Sequence, residues 1–348
     1  MEKNEERKIY FDFLRIFATF SVIMLHVAAQ NWYNTDINSI EWNIFNFYDS
    51  IVRWGVPIFI MISGSLLVNK DLSIKSIYKK YIFRIITSFI CWSIIYTLLL
   101  SKPYSIKSTI LTVIKGHYHM WFLFMIVGLY MITPLIKQIT LNKDLTKYFI
   151  VLGIIFAIII PQFISLLSIN YVYLGNFVQE IMENINLHMI LGYTVYYILG
   201  FYLDKTDIKA HYFKYICILG ILGFIVTIVF STILSKYTQN ANSLFYGNFT
   251  LNVLLESILV FILSKKIFKK IKLSIKKQKK LSQISKYCFG IYLVHVLVIT
   301  YLDKLLNLNT LTFNPIFSVP IISIIVFIIS LFISFVINQI PILKKYIV

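Results

Sequence analysis

Apolar runs of about 17–22 residues recur along the whole 348-residue chain, and short polar segments separate them. Each run is long enough to cross the roughly 30 Å hydrocarbon core of a bilayer as an α-helix. Only 14% of the residues are charged, whereas a soluble domain carries about 25% charged residues. The sequence therefore predicts an all-α polytopic integral membrane protein, since a transmembrane β-barrel would need shorter segments of alternating hydrophobicity.

Ten spans are predicted, and the distribution of positive charge orients them. Of the 33 Lys and Arg residues, 26 fall on one side of this arrangement, six fall on the other, and Arg15 lies inside the first span. Because cytoplasmic loops carry the excess of positive charge, we expect both termini in the cytoplasm. The segments between spans are short, so we expect residues 1–348 to form a single transmembrane domain without an extramembrane domain. The predicted spans cover residues 10–30, 51–68, 82–101, 119–136, 148–168, 188–203, 215–235, 249–264, 287–302 and 319–340.

The net charge of +18 does not indicate nucleic-acid binding, because the charge lies in short loops beside apolar runs. The basic segment 265–280 is expected to lie along the anionic cytoplasmic leaflet, so the lipid bilayer is an expected partner. Binding of a polyanionic ligand such as coenzyme A is the alternative for this segment. The aromatic residues of the outer segment 31–50 are expected to anchor the membrane surface.

The first span carries two ionisable side chains, Arg15 and His26. At about 100° per residue they lie within about 20° of each other around a helix, and about 16 Å apart along its axis. Asp12 precedes Arg15 by three residues, where it can pair with the guanidinium. Charged groups in a span usually face a bundle interior or a wet cavity. The alternative is that Arg15 extends to the cytoplasmic surface and His26 is simply hydrogen-bonded at the outer one.

Two further segments place basic or small residues at the ends of spans. In RWGVPIFIMISG, Arg53 begins the second span, and Ser63 and Gly64 permit close approach of another helix. Lys80 and Arg84 open the third span, four residues apart on one helical face. Membrane anchoring explains such a pair, and a clamp for the phosphates of a cytoplasmic nucleotide is the sharper alternative.

Histidines occur at two more places in the predicted spans. His117 and His119 lie two residues apart and would diverge on a helix, which disfavours a metal pair and favours one histidine facing an outer cavity. His295 lies about halfway across the ninth span, one turn from Tyr292, and a histidine at that depth is a functional candidate. Glu256 in the eighth span could pair with a histidine or with Arg15.

Five segments in this order make the chain resemble the membrane-bound acyltransferase family 3. They are DFLRIFATFSVIMLH, VPIFIMISG, the basic start of the third span, HMWFLFMIVGLYMITPLI and FGIYLVH. The Arg-x10-His pair of the first span corresponds to the main signature of the family. Segment 31–64 is most similar to the subgroup of the enterobacterial common antigen O-acetyltransferase. Glu256 has no counterpart in these motifs.

The resemblance implies a multi-pass enzyme of the bacterial cytoplasmic (inner) membrane. Such an enzyme takes an acyl group, usually acetyl, from cytoplasmic acyl-CoA and places it on a hydroxyl of an extracytoplasmic polysaccharide or lipid-linked glycan. Acetyl-CoA is then a co-substrate, and no metal is expected. Arg15 and His26 match the essential pair of the family. Arg84 and Lys80 match its basic cytoplasmic motif, in which arginine usually stands where this chain has Lys80.

Acyl transfer needs a base for the acceptor hydroxyl and donors for the developing oxyanion. We expect His26 to be the base or the carrier of the acyl group, and Arg15 to hold the donor. The remaining candidates are expected to line a substrate cavity: Arg53, Ser63, His119, Trp121, Tyr292 and His295. A transporter of an amino acid or a glycan-related solute is the competing hypothesis, because polar groups lining a bundle suit transport equally well. The acceptor and the oligomeric state are not indicated by the sequence.

Overall fold

The computed structural model describes residues 7–101, 105–170, 192–271 and 273–347. Those residues form helices and turns, with no β-strand among them, so the predicted all-α class is confirmed. Single helical turns connect several of the helices: the α-turn Ile74–Ser76, the π-helices Ile77–Ile82 and Ile154–Ile159, and the 3₁₀ turns Tyr118–Met120 and Leu244–Tyr246. In chain order the longer helices are α1 (Ile9–Trp32), α2 (Ile40–Ser50), α3 (Gly55–Leu67), α4 (Phe83–Leu100), α5 (Ile106–Lys115), α6 (Trp121–Thr140), α7 (Lys143–Gly153), α8 (Ile160–Asn170), α9 (Thr194–Lys205), α10 (Ala210–Thr238), α11 (Leu251–Lys270), α12 (Ile275–Leu306), α13 (Pro315–Gln339) and α14 (Pro341–Tyr346).

Eight helical segments of the described residues are long and apolar enough to cross a membrane. They correspond to eight of the ten predicted spans, all except the sixth and the eighth. The segments are Ile9–Trp32, Ile40–Leu67, Ile74–Leu100, Tyr118–Thr140, Lys143–Ile169, Ala210–Thr238, Ile275–Leu306 and Pro315–Gln339.

The sixth and eighth predicted spans correspond to α9 and α11. The start of the sixth, before residue 192, lies outside the described residues, and α9 itself has 12 residues. α11 has 20 residues, but it carries a glutamate and ends in lysines. Both helices lie inside the bundle; Tyr196 and Tyr197 of α9, for example, have no exposed surface. A helix surrounded by protein need not be apolar on every side.

The predicted outer segment 31–50 contains α2, which packs against α1 and α10. Trp32 and Trp42 are fully buried there, with their rings stacked at a centroid distance of 5.8 Å. The expectation that these aromatic residues anchor the membrane surface is therefore wrong for the two tryptophans. Their indole rings instead fill the space between helices.

α1 lies at the centre of the bundle, in contact with α2, α3, α11, α12 and α13. Leu14, Ala18 and Ile23 have no exposed surface. The helix runs without interruption through Arg15 and His26. We call the end of the bundle where α1 begins the Arg15 end and the opposite end the His26 end.

Two glycines bring α3 and α9 into backbone contact. A Cβ atom at Gly64 would lie 1.9 Å from the carbonyl oxygen of Tyr197, and one at Gly200 would lie 2.1 Å from that of Met61. No side chain larger than hydrogen fits between the two helices at these positions. The prediction that Gly64 permits close helix approach is confirmed.

Ionic contacts join α1, α9 and α11 at the Arg15 end. The Lys8 ammonium donates to both carboxylate oxygens of Asp204 at 2.8 and 2.7 Å, and the Tyr10 hydroxyl donates to one of them at 2.6 Å. The Lys265 ammonium donates to the carbonyl oxygens of Leu203, Asp204 and Thr206, which end α9. A cation at the C-terminal end of a helix satisfies carbonyls that lack an intrahelical partner.

Candidate functional site

Arg15 and His26 both retain accessible surface although α1 is central. The Arg15 side chain is 32% exposed and His26 is partly exposed, whereas Leu14 and Val27 beside them are buried. Because α1 is one continuous helix, the two side chains share the face predicted from their spacing. The structure thus places a cation and an imidazole at two depths along one accessible face of the central helix.

Asp12 is shared between two arginines. It accepts two hydrogen bonds from the Arg7 guanidinium, each 2.8 Å long, and lies 3.7 Å from Nη1 of Arg15. The hydrogen bond to Asp12 raises the pKa of Arg7, which lies just before the span. The predicted Asp12–Arg15 pair is therefore present as the longer of two ion pairs. Arg7 was not singled out in the sequence, and its bidentate contact leaves the Arg15 guanidinium able to bind a further anion.

His26 is in hydrogen-bond contact with His295 of α12. Nδ1 of His26 lies 3.1 Å from Nε2 of His295 and 2.9 Å from the carbonyl oxygen of Val22. Nδ1 of His295 lies 2.6 Å from the carbonyl oxygen of Tyr292. A carbonyl oxygen only accepts, so the hydrogen-bond network assigns the Nδ1 proton to both rings. Nε2 of His295 then accepts from His26, and Nε2 of His26 bears a lone pair that can take a proton or attack a carbonyl.

His117 and His119 converge, contrary to the prediction that they diverge on a helix. Their Nδ1 atoms are 2.9 Å apart. His117 has extended backbone angles and precedes the 3₁₀ turn Tyr118–Met120, so the two residues do not follow α-helical spacing. The ring of His117 stacks on Tyr96 of α4 at a centroid distance of 4.4 Å.

His119 joins these residues to the His26–His295 pair. Its ring centroid lies 5.4 Å from that of His295, and its carbonyl oxygen accepts a 2.5 Å hydrogen bond from Tyr292. We call His26, His117, His119 and His295 the histidine cluster. In the described part of the chain, no group of three or more His, Cys, Asp or Glu side chains is arranged to hold a metal ion.

Arg53 lies beside the histidine cluster at the start of α3. Its guanidinium forms an ion pair with the fully buried Asp49 and lies 3.7 Å from the ring centroid of Tyr246. It is also within electrostatic range of His26. The structure therefore places Arg53 at the His26 end of the bundle. Asp49 was missed, although the four-residue spacing of Asp49 and Arg53 is a signal for such a pair.

Asn46 fixes α2, and with it Asp49, against α10. The Tyr246 hydroxyl and the Trp32 indole N–H donate to Oδ1 of Asn46. Nδ2 of Asn46 donates to the hydroxyls of Ser231 and Thr232 at 3.1 and 2.9 Å. A buried amide with both ends satisfied holds its neighbours in one arrangement.

Glu256 pairs neither with a histidine nor with Arg15, so both alternatives proposed for it are wrong. Its Oε1 accepts from the Thr227 hydroxyl of α10, which in turn accepts from Asn252 at 2.8 Å. The cation in electrostatic range of Glu256 is Arg53. The contacts of Glu256 place it between α10 and α11, outside the histidine cluster.

At the Arg15 end, Tyr130 of α6 brings several candidates together. Its hydroxyl interacts electrostatically with Ser63, Arg15 and Arg84, and the Ser63 hydroxyl donates to the carbonyl oxygen of Phe59 at 2.8 Å. The ring of Tyr81, in the π-helix that precedes α4, meets Tyr130 edge-on at 6.1 Å. We call Arg15, Ser63, Arg84 and Tyr130 the inner cluster. π-helical turns often occur at functional sites, and this one sets the approach of α4 to the cluster.

Two candidates lie at the surface. Lys80 is exposed, and its ammonium lies 5.9 Å from the ring centroid of Tyr81. Trp121 is 41% exposed and stacks on Tyr193 at 5.7 Å. The structure thus brings Arg84 toward Arg15 and leaves Lys80 outside the inner cluster, and it places Trp121 beside α9 rather than in the histidine cluster.

Comparison with known proteins assigns the chain to a family. The family model Acyl_transf_3, described as an acyltransferase domain, matches residues 8–338, which is nearly the whole chain. No curated protein and no solved structure matches the chain significantly. The matched region contains both the inner cluster and the histidine cluster. The chain therefore belongs to the acyltransferase 3 family and is a membrane acyltransferase.

Proposed function

We propose that this acyltransferase moves a short acyl group, acetyl foremost, from cytoplasmic acyl-CoA to a hydroxyl of an extracytoplasmic glycan or glycan precursor. The observation that carries the proposal is the placement of Arg15 and His26 at two depths on one accessible face of α1. The donor reaches the Arg15 end of the bundle and the acceptor reaches the His26 end. α1 spans the distance between these two ends. Segment 31–64 resembles the subgroup of the enterobacterial common antigen O-acetyltransferase, which supports a glycan acceptor.

The donor is proposed to bind at the inner cluster. Arg15 and Arg84 supply guanidinium groups, which suit the phosphates and the carbonyl oxygen of acyl-CoA because they donate in a planar fork. Tyr130 and Ser63 offer hydroxyls within the same cluster. Lys80, exposed outside the cluster, is proposed to attract the polyanionic donor rather than to grip it.

The acceptor is proposed to bind at the His26 end. Nε2 of His26 takes the hydroxyl proton, and the oxygen so activated attacks the carbonyl carbon, from which the thiolate of coenzyme A leaves. In the alternative route, His26 first carries the acyl group on Nε2. Arg53 and His119 are proposed to stabilise the developing oxyanion, while Tyr292, whose hydroxyl donates to the His119 carbonyl, is proposed to shape the acceptor cavity, with Trp121 at its rim. No metal is required by this scheme.

The proposed topology has ten spans, with α9 and α11 completing the eight apolar segments, and with both termini in the cytoplasm. The charge distribution supports this orientation, because 26 of the 33 Lys and Arg residues then face the cytoplasm. The Arg15 end is accordingly the cytoplasmic end, where acyl-CoA is available. The proposed location is the bacterial cytoplasmic membrane.

The test uses inverted membrane vesicles that contain the native glycan acceptor. Radiolabelled acetyl-CoA is added outside, and label in the glycan is measured for the unmodified chain and for His26→Ala and His26→Gln at matched protein levels. We expect transfer only by the unmodified chain, with a loss of at least a hundredfold in both variants, because general-base catalysis alone contributes about 10²–10⁴-fold.

Full transfer by His26→Ala would contradict the assignment of the base. Absence of transfer by the unmodified chain, with folded protein and acceptor present, would contradict acetyl-CoA as the donor. Uptake of a labelled amino acid or glycan-related solute, measured in the same vesicles, would then favour the transport hypothesis.

A further inference from the structure

The contact between His26 and His295 joins two residues that are 269 positions apart in the chain. It connects α1 to α12, and both rings are held on their Nδ1 side by backbone carbonyls of their own helices. His295 has no exposed surface. Its ring is therefore enclosed by protein, and its Nε2 atom is directed at Nδ1 of His26.

We propose that His295 is a positioning residue for the base, acting through His26 in the way that a buried hydrogen-bond acceptor orients a catalytic imidazole. The inference rests on the proposed function, in which Nε2 of His26 is the reacting atom. Nε2 of His295 shares the Nδ1–H of His26 with the Val22 carbonyl. This contact fixes the plane of the His26 ring and its tautomer, so that the lone pair stays on Nε2.

The contact also strengthens during the reaction. When Nε2 of His26 takes the acceptor proton, the O–H bond breaks, its electron pair stays on the oxygen, and the imidazole becomes an imidazolium. The Nδ1–H remains on His26, and its hydrogen bond to His295 becomes charge-assisted, which is about twice as strong as the neutral bond. His295 thus stabilises the cationic ring more than the neutral one, which is the condition for an effect on rate.

Two variants of matched size separate positioning from packing. Gln at position 295 can present an amide oxygen near the place of Nε2, whereas Met has a similar length and lacks a strong acceptor. We expect His295→Gln to keep the reactivity of His26 within about threefold of the unmodified chain. His295→Met is expected to lower it by roughly tenfold or more, because a hydrogen bond to a charged group contributes about 1.5–3 kcal/mol.

The reactivity is measured without either natural substrate. Diethyl pyrocarbonate is attacked by the lone pair of Nε2; a nitrogen–carbon bond forms, a carbon–oxygen bond breaks, ethyl carbonate leaves, and the ring proton is lost to solvent. Peptide mass spectrometry gives the rate of modification at His26 in the membrane-embedded protein. His211, exposed at the start of α10 and distant in sequence from the cluster, is the internal reference.

The proposal would be overturned if His26 in His295→Met were modified as fast as in the unmodified chain. It would also be overturned if the modification rate of His26 fell equally in both variants while the rate at His211 stayed unchanged. The proposal is supported if the modification rate of His26 falls in His295→Met and is restored in His295→Gln. The transfer assay is run in parallel: in His295→Met, kcat should fall while the KM for acetyl-CoA stays constant, since the donor binds at the inner cluster. An unmodified chain that fails to transfer would contradict the proposed function, while the modification rates would still decide the role of His295.

Discussion

Asp49 and Arg53 form an ion pair whose acidic partner is fully buried beside the histidine cluster. Removing one partner of a buried pair leaves an uncompensated charge, at a cost of about 3–5 kcal/mol. Asp49→Leu should therefore lower the thermal unfolding temperature of the detergent-solubilised protein strongly. The double variant Asp49→Leu with Arg53→Met should regain much of the stability, because two apolar side chains replace the pair without an unpaired charge.

The same double variant separates stability from acyl transfer. If Arg53 serves the acceptor, the stable double variant should still transfer acetyl groups at a strongly reduced rate, measured in the vesicle assay. Normal transfer by a stable double variant would show that Arg53 has a structural role only.

Arg84 and Lys80 provide a matched pair of cations with which to test the proposed donor site. Both side chains are exposed, but Arg84 is within electrostatic range of Tyr130 and so belongs to the inner cluster, whereas the Lys80 ammonium lies 5.9 Å from the ring centroid of Tyr81. Arg84→Gln should raise the KM for acetyl-CoA by roughly tenfold, since a hydrogen bond to a charged group contributes about 1.5–3 kcal/mol. Lys80→Gln should raise it by roughly twofold, and addition of salt should diminish that smaller effect. An equal rise in the KM for acetyl-CoA in both variants would contradict the proposal that Arg84 binds the donor directly and Lys80 only attracts it.

At the scale of single helices, α1 could be predicted almost completely. Its apolar run, the eleven-residue spacing of Arg15 and His26, and the position of Asp12 are all local features, which helical periodicity translates directly into geometry. The partners of these residues could not be predicted in the same way. His295 reaches His26 only because α12 packs on α1, and no periodicity links residues in different helices.

Other local predictions failed where the backbone departs from regular helix. His117 and His119 converge because a 3₁₀ turn replaces the expected α-helix. The aromatic residues of segment 31–50 are expected to anchor the membrane surface, yet Trp32 and Trp42 are buried, and α2 also buries its polar Asn46 in a satisfied hydrogen-bond network. A polar residue in a helix is compatible with burial when its partners come from neighbouring helices, and those partners are not visible in a local pattern.

The contact between α3 and α9 gives a prediction for helix packing. Gly64→Ala places a Cβ atom 1.9 Å from a backbone oxygen and should destabilise the protein by about 1–3 kcal/mol or more, because backbone must move. Gly128→Ala in α6 is the control, since nothing lies within 4 Å of its Cβ position. That variant should leave the unfolding temperature unchanged or raise it slightly, as alanine favours helix. Equal unfolding temperatures for the two variants would contradict tight packing at Gly64.

At the scale of the whole molecule, the proposed orientation can be tested with single cysteines. In a chain whose three cysteines are replaced by serine, Asn240→Cys in the loop after α10 and Lys280→Cys near the start of α12 place exposed thiols on opposite predicted sides of the membrane. A membrane-impermeant maleimide should label position 240 in right-side-out membranes and position 280 only in inverted vesicles. Labelling of both from the same side would contradict the proposed topology.

The eight apolar segments of the fold follow from length and hydrophobicity, which bilayer thickness constrains directly. α9 and α11, predicted as the sixth and eighth spans, do not reach that length and apolarity in the described residues, because helices enclosed by protein are released from that constraint and can carry residues such as Glu256. Because enclosed helices need not be apolar, polar and ionisable side chains can lie in the interior of this bundle. Their mutual arrangement in the histidine cluster and the inner cluster depends on packing between helices, so the sequence alone could not predict it.

The backbone contacts of Gly64 with Tyr197 and of Gly200 with Met61 also have a mechanical consequence. Because no side chain larger than hydrogen fits between the two helices at these positions, we expect α3 and α9 to move together. α3 alone is about 20 Å long, and it follows Arg53 at one end and carries Ser63 toward the other. If α3 tilts about its middle, Ser63 and Arg53 move in opposite directions. We therefore expect binding of the proposed donor near Ser63 to shift Arg53, where the acceptor is proposed to bind.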